Sequence, residues 1–456
     1  MTQCGLATLA DIADILAIDC PEAEEKVCHR IVTDTRTLAP GDLFLALVGE
    51  RFDGHDFIAN AREAGAIAAI VSRPIDDDLP QLVVEDTRLA LGVLGQARRR
   101  AWDGPLVAIT GNSGKTTVKE LVASLLGGDH EVLASQGNFN NDIGAPLTLL
   151  SLRPEHQYAV IELGANHLGE IAWTSALSAP NVAVITNVTG AHLGEFGGRG
   201  RIAQAKGEIL SGLPDDGVAV LNRDDAFFSV WQRLAMPHDV LDFGMHPAAR
   251  LRASGLVCDA LGRYAFTLLL DGRALGRVTL SLLGRYNVSN ALAAAACALA
   301  MGVSETRVVN GLSSFRPMPG RMAVVDGVRG THILDDTYNA SPGAVKAALE
   351  LLAEWPSPRW CVLGAMAELG DASPELHADI GHYARACGVQ CLVAMGTDAK
   401  PAVDAFGDMG CHFEQWEALV GYAREHLPTG ASVLVKGSRS AAMERVVDAL
   451  RCDGSR

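Results

Sequence analysis

The chain has 456 residues, and 38 Lys plus Arg against 54 Asp plus Glu leave a net charge of -16. That balance opposes nonspecific binding to nucleic acid or to an anionic membrane, while local basic groups can still hold a small anionic substrate. At roughly 150 residues per domain the length suggests about three domains, and 48% hydrophobic residues is enough for large cores.

The N-terminus, MTQCGLATLADIADI, lacks a basic region and a long apolar core, so no secretory signal is expected there. ALAAAACALAMGV at 291–303 suits a packed helix better than a membrane span. The ten scattered cysteines read as reduced thiols of a cytoplasmic protein.

In chain order, a helix and a connection are expected over residues 1–30. IVTDTRTLAPGDLFLAL (31–47) reads as two short strands around a Pro-Gly turn at 40–41. GERFDGHDF (49–57) is a polar loop, and FIANAREAGA (57–66) a helix stopped near Gly65. AIAAIVS and LPQLVVED follow as strands, then DTRLALGVLGQARRRAW as a helix.

From residue 101 the rhythm changes. PLVAITG (105–111), YAVIELG (158–164), NVAVITNV (181–188) and GVAVLNRDD (217–225) alternate with helical stretches, which argues a mostly parallel sheet covered by helices. Residues 250–283 hold three strand-like runs with Gly turns, followed by helices at 287–302 and 304–312. After RPMPGRM, six strand candidates alternate mostly with helices: MAVVDGV, THILDDT, RWCVLGAM, CLVAMG, CHFEQ and ASVLVKG. The expected fold class is therefore α/β in three domains: a small N-terminal α/β domain (1–100), a central P-loop ATPase-like domain with a mostly parallel sheet (101–315), and a C-terminal Rossmann-like α/β domain (316–456).

The sharpest signal is ITGNSGKTTVKE (109–120). A strand delivers Gly111, Asn112, Ser113, Gly114, Lys115, Thr116 and Thr117 to a tight turn that opens a helix. Backbone N–H groups there converge on an anion at the positive end of the helix. Lys115 is placed to reach the β/γ-phosphates of ATP, and Thr116 to coordinate Mg²⁺. Glu162 closes an apolar strand, where a carboxylate can hold Mg²⁺. His192, just beyond another strand, is a candidate metal ligand in its neutral form. Locally, Lys206 is either a phosphate-neutralising cation or surface charge. Asn138, Asn140 and Asn141 fit either a substrate loop or an ordinary turn. Acidic Asp335–Asp336 near Arg321 could orient ribose, nucleobase or nucleophile, and Lys436 with Arg439 could contact an anion.

The combination resembles the Mur ligases. The matching pieces include DTR (34–36), GERFDGHDF, TGNSGKTT, GNFNNDIGAPLTLL (137–150), ELGANHLGEI (162–171), NVTGAHLGEFGG (187–198), AKGEI (205–209), GRYNVSNALAA (284–294), PGR (319–321), DDTYNASP (335–342), GAMAELG (364–370) and VKGSRSAAM (435–443). They run in the family's order over nearly the whole chain. GERFDGHDF, GNFNNDIG and KGSRSAAM narrow the resemblance to the branch that adds D-alanyl-D-alanine to UDP-N-acetylmuramoyl-tripeptide.

The resemblance implies that the first domain holds the UDP-sugar, through Asp34, Thr35 and Arg36. It implies that the middle domain binds ATP, and that the third helps bind ATP and the incoming amine. Glu162 and His192 match metal-associated positions. Lys206 matches a lysine carbamylated in related ligases, which would turn a cation into an anionic Mg²⁺ ligand. Asn287, Asn290, Arg321 and Asp336 match nucleotide-contacting positions, and Asn339 a nearby loop position. Lys115, Lys206 and His192 are the expected catalytic set, working in a cytoplasmic monomer that closes around its substrates. Two departures, Gly190 for the usual proline and Ser341 for the common asparagine, remove no charged group.

Overall fold

Apolar β-branched runs form strands where the alternation places them, and their carboxyl ends carry the polar motifs. The computed structural model describes residues 8–19, 25–49, 52–188, 198–317, 319–367 and 369–452. Among them, no helix is long and apolar enough to cross a membrane.

The first sheet is parallel, in the order β1 (Ile31–Val32), β2 (Leu43–Leu45), β3 (Ala68–Val71) and β4 (Gln81–Val83). The two strands expected around Pro40–Gly41 do form. They pair in parallel, so the residues between them make a crossover containing a 3₁₀ turn at Thr35–Thr37. Helix α1 (Leu9–Leu16) starts at a capping box between Thr8 and Asp11, and its Leu9 and Ile12 are fully buried. Helix α2 (Ile58–Glu63) ends before Gly65, whose φ of 92° suits glycine. Helix α3 (Thr87–Trp102) is capped by Asp86.

A nine-stranded sheet contains β5 (Leu106–Thr110), β6 (Glu131–Ala134), β7 (His156–Glu162), β8 (Val182–Ile185), β9 (Val218–Asn222), β10 (Asp239–Gly244) and β11 (Leu251–Cys258). These seven run parallel in the order β11-β10-β9-β8-β5-β7-β6. The strands β12 (Arg263–Leu270) and β13 (Arg273–Leu283) complete it. The motif order did not reveal β6 or β10. The first is a half-exposed edge strand, and Asp242 interrupts the apolar run of the second. Helices α4 (Lys115–Leu126), α5 (Gly144–Leu150) and α6 (Glu170–Ser178) follow β5, β6 and β7. Buried Arg99 of α3 donates to the carbonyls of Ser178 and Ala179 at 2.8 and 3.1 Å, tying α3 to the end of α6.

The third sheet has the order β14 (Ala323–Asp326), β15 (His332–Asp336), β19 (Ser432–Lys436), β16 (Arg359–Gly364), β17 (Cys391–Met395), β18 (Gly410–Phe413). Only β14 runs antiparallel to its neighbour. All six strands expected in this region form. The chain packs as two compact units. One comprises Met1–Ser254, Leu268–Gly276 and Ser289–Gly311; the other comprises Gly255–Thr267, Arg277–Val288 and Leu312–Arg456.

Trp231 anchors the helix Arg199–Gly207, which carries Lys206. Its ring is fully buried, and its indole N–H donates to the Ala203 carbonyl at 2.9 Å. Trp231→Ala would leave a cavity and remove this hydrogen bond. The expected loss of stability is about 3–5 kcal/mol, read from denaturant unfolding; a change below about 1 kcal/mol would contradict this packing role.

Candidate active site

Strand β5 is buried along its whole length and lies between β7 and β8, so its carboxyl end opens at the centre of the parallel sheet. The chain then turns through Gly111 to Gly114, the residue capping α4. Gly111 has φ 144°, and a Cβ there would lie 1.9 Å from the Thr186 hydroxyl. Gly114 has φ 82°, and a Cβ there would lie 2.3 Å from the Asn290 amide oxygen. Both positions therefore exclude a side chain. Asn112 N–H donates to the Asn187 carbonyl, and Ser113 N–H to the Asn187 side-chain oxygen, each at 3.0 Å. Thr186 and Asn187 side chains donate back to the Ser113 carbonyl at 2.8 and 3.0 Å. Thr186 and Asn187 thus hold the loop; neither is among the site residues expected from the sequence, although Asn187 opens the NVTGAHLGEFGG piece and both follow the strand that pairs with β5.

Lys115 and Thr116 open α4, followed by Thr117. The Lys115 ammonium folds back onto the carbonyls of Gly111 and Asn112 at 3.0 and 3.3 Å. Burial lowers its pKa, and the Glu162 carboxylate opposes that shift. Glu162 is 3% exposed at the last position of β7. One carboxylate oxygen accepts from the Thr116 hydroxyl at 3.0 Å and the other from the Asn140 amide at 2.9 Å. The Ser135 hydroxyl accepts the Glu162 backbone N–H at 3.1 Å. Four elements therefore fix this carboxylate.

Lys206 is buried near the end of its helix. Burial first, then the Lys115 ammonium, pushes its pKa down to about 8, against the pull of Glu170, Glu208 and Glu162. Glu208 accepts the backbone N–H groups of Gly169 and Ala172 at the start of α6, a carboxylate at the positive end of a helix. His192 lies outside the described residues.

The three asparagines separate in role. Asn140 orients Glu162, Asn141 accepts the Gly144 N–H at 2.8 Å at the start of α5, and Asn138 is exposed. In the first sheet's domain, Asp34 caps the 3₁₀ turn of Thr35 and Arg36 and pairs with the Arg36 guanidinium at 2.7 Å. The Arg36 hydrogen bonds hold the Asp34 carboxyl down to about 2. Asn287 and Asn290 are buried on the helix Tyr286–Ala300, with Asn287 donating to the Leu283 carbonyl at 2.7 Å.

The second unit has its own cluster. The Arg321 guanidinium lies 4.0 Å from the centre of the Tyr338 ring, a cation–π contact. Asp336 ends β15 beside Lys436, which ends β19, and the two form an ion pair. Lys436 also donates to the Asn339 carbonyl at 2.9 Å. The Asn339 side chain accepts the Ala340 N–H. Arg439 is 71% exposed, with its guanidinium 3.4 Å from Glu444.

Convergent N–H groups and a lysine suit a polyphosphate. The touching Thr116 hydroxyl and Glu162 carboxylate supply the hard oxygen donors that Mg²⁺ prefers. No cluster of three or more His, Cys, Asp or Glu able to hold a metal occurs among the described residues. Few protein ligands fit Mg²⁺, which ordinarily keeps several waters and takes the rest of its shell from phosphate. Gly114→Ala combines a left-handed φ with a clash on Asn290. Strain of about 1–3 kcal/mol is expected, read as lost stability in denaturant unfolding; unchanged stability would contradict the strained geometry of the loop.

Comparison with known proteins agrees with this geometry. Residues 27–99 match the Mur ligase family catalytic domain, residues 109–298 the Mur ligase middle domain, and residues 320–439 the Mur ligase glutamate ligase domain. The UDP-N-acetylmuramoyl-tripeptide–D-alanyl-D-alanine ligase of Escherichia coli K12 is 43% identical, with 98% of this chain and 99% of that protein covered. The ligase of the same name from Mycobacterium tuberculosis H37Rv is 34% identical over 98% of each chain. A crystal structure of MurF from Acinetobacter baumannii superposes with a TM-score of 0.83 at 39% identity, covering 97% of this chain and 98% of that one. MurF from Thermotoga maritima in complex with ADP gives 0.70 at 30% identity, with 92% and 96% covered. With a nucleotide loop of this geometry and relatives matched end to end, the chain belongs to the MurF family of Mur ligases.

Proposed function

We propose that this chain joins D-alanyl-D-alanine to UDP-N-acetylmuramoyl-tripeptide, using ATP and releasing ADP and phosphate. The observation that carries this reading is the Lys115–Glu162–Thr116 centre at the end of β5 and β7, in a chain 43% identical along its length to a ligase of that name. A free carboxylate is a poor electrophile because its leaving group is oxide-like. The tripeptide's terminal carboxylate oxygen therefore attacks the γ-phosphorus of ATP, the bond to the β-phosphate oxygen breaks, and ADP leaves. The dipeptide amine then attacks the acyl carbon of the mixed anhydride, loses a proton, and expels phosphate.

The chain's own part is binding and charge placement. The N–H groups of the first turn of α4 and the Lys115 ammonium hold the phosphates and offset charge during transfer. Glu162 and Thr116 would hold Mg²⁺, joined by His192 and by Lys206 once carbamylated; the ion supplies Lewis-acid stabilisation of phosphoryl oxygens when bound. The lowered pKa of Lys206 supports carbamylation, because the neutral amine is the form that adds carbon dioxide. Asn112, Ser113, Asn287, Asn290, Arg321 and Asp336 complete the nucleotide contacts. Asp34, Thr35 and Arg36 take the UDP end; Asn138, Asn140, Asn141, Asn339 and Arg439 serve the peptide substrates. The functional domains are 1–100 for the UDP-sugar, 101–315 for ATP, and 316–456 for the amine. The enzyme works as a cytoplasmic monomer in peptidoglycan precursor synthesis.

Phosphate release should require ATP, UDP-N-acetylmuramoyl-tripeptide and D-alanyl-D-alanine together. Running the tripeptide with lysine or with diaminopimelate at its third position identifies the preferred form; release without the dipeptide, or with neither tripeptide, would refute the reading. Lys206→Ala should be nearly inactive and partly rescued by a short carboxylate. An amine without carbamate in the active, Mg²⁺-loaded enzyme, seen by carbon NMR after labelled bicarbonate, would refute the carbamate.

A further inference from the structure

Lys436 reads in sequence as a cation available to an anionic substrate, and its surroundings give it different work. It is the last residue of β19, in register with Asp336, the last residue of parallel β15. Its side chain is only 3% exposed, and that of Asp336 15%. The ammonium donates to the Asp336 carboxylate and, at 2.9 Å, to the Asn339 carbonyl in the loop that follows β15. It thereby pins both a carboxylate and the backbone three residues beyond it.

Burial, with a smaller push from Asp335, raises the Asp336 pKa, and Lys436 is the largest influence in the opposite direction. Neighbouring Asp335 does not compete for the ammonium through a free oxygen. Its carboxylate takes the Gly320 N–H at 2.8 Å and the Thr337 hydroxyl at 2.7 Å. A buried ion pair of this kind is costly to break from one side, because the remaining charge is left uncompensated. Arg439, three residues further along, is by contrast exposed and only loosely paired.

We propose that Lys436 is a positioning residue for nucleotide binding: it holds Asp336 and the Asn339 loop in place and makes no contact with the dipeptide's carboxylate. This rests on the reading of Asp336 as a nucleotide contact. A lysine whose donors point inward at a strand end cannot also reach an anion in solvent. Exposed Arg439 can meet one.

The test measures kcat and the KM of ATP and of D-alanyl-D-alanine in the full-length enzyme for Lys436→Met, Lys436→Arg, Asp336→Asn and the Lys436→Met/Asp336→Asn double variant. Lys436→Met should raise the ATP KM by roughly 10-fold or more while the dipeptide KM stays within about 2-fold. Lys436→Arg should recover part of the ATP KM. The double variant should be no worse than the more impaired single variant, because both remove one coupled interaction. A raised dipeptide KM with an unchanged ATP KM, in Lys436→Met or in Lys436→Arg where Met fails to fold, would overturn the proposal. If Asp336→Asn leaves the ATP KM unchanged, the nucleotide role of Asp336 falls as well; if it raises the ATP KM and Lys436→Met does not, only the positioning role falls.

Discussion

Burying charge at the end of a parallel sheet is the constraint on which the rest of the first unit's site depends. Lys115, Glu162 and Lys206 sit where β5, β7 and a neighbouring helix run out, Glu162 and Lys206 buried and Lys115 half-buried. Isolated charges are expensive there, so each must be answered. Glu162 is answered by the Thr116 hydroxyl and the Asn140 amide, and Lys115 by two loop carbonyls. After burial, proximity to the Lys115 ammonium also helps lower the Lys206 pKa. Adding the negative charge of ATP, or of a carbamate, relieves that repulsion. The unliganded centre is in this sense prepared for anions.

The scaffold serves this arrangement by rigidity. Gly111 and Gly114 let the loop pass within contact of Thr186 and Asn290, and the Asn187 side chain locks its middle. Trp231 fixes the helix that carries Lys206. Pre-set donors of this kind cost little reorganisation when charge develops in a transition state.

Much of this was legible in the sequence, for physical reasons. A buried strand, a glycine turn and an amphipathic helix in succession leave few alternatives for residues 105–126, and β16, β17 and β19 of the third sheet are largely apolar, buried runs. What stayed hidden depends on contacts between distant residues. Asn140 meets Glu162 across 22 positions, and Lys436 meets Asp336 across 100. Local composition cannot distinguish an asparagine that orients a carboxylate from one that makes a turn, nor a buried paired lysine from an exposed one. Strand β10 was missed because Asp242 looks like a break; in the fold it pairs with Arg223 and accepts the Arg250 N–H.

The central claim is that the nucleotide loop directs the γ-phosphate onto a peptide carboxylate and not onto water. It is tested most directly by labelling both oxygens of the tripeptide's terminal carboxylate with a heavy oxygen isotope and weighing the phosphate released during ligation. Transfer of one labelled oxygen to each phosphate is the expected result, because the attacking carboxylate oxygen leaves with phosphorus. Unlabelled phosphate, with the displaced heavy oxygen appearing in water, would contradict this transfer.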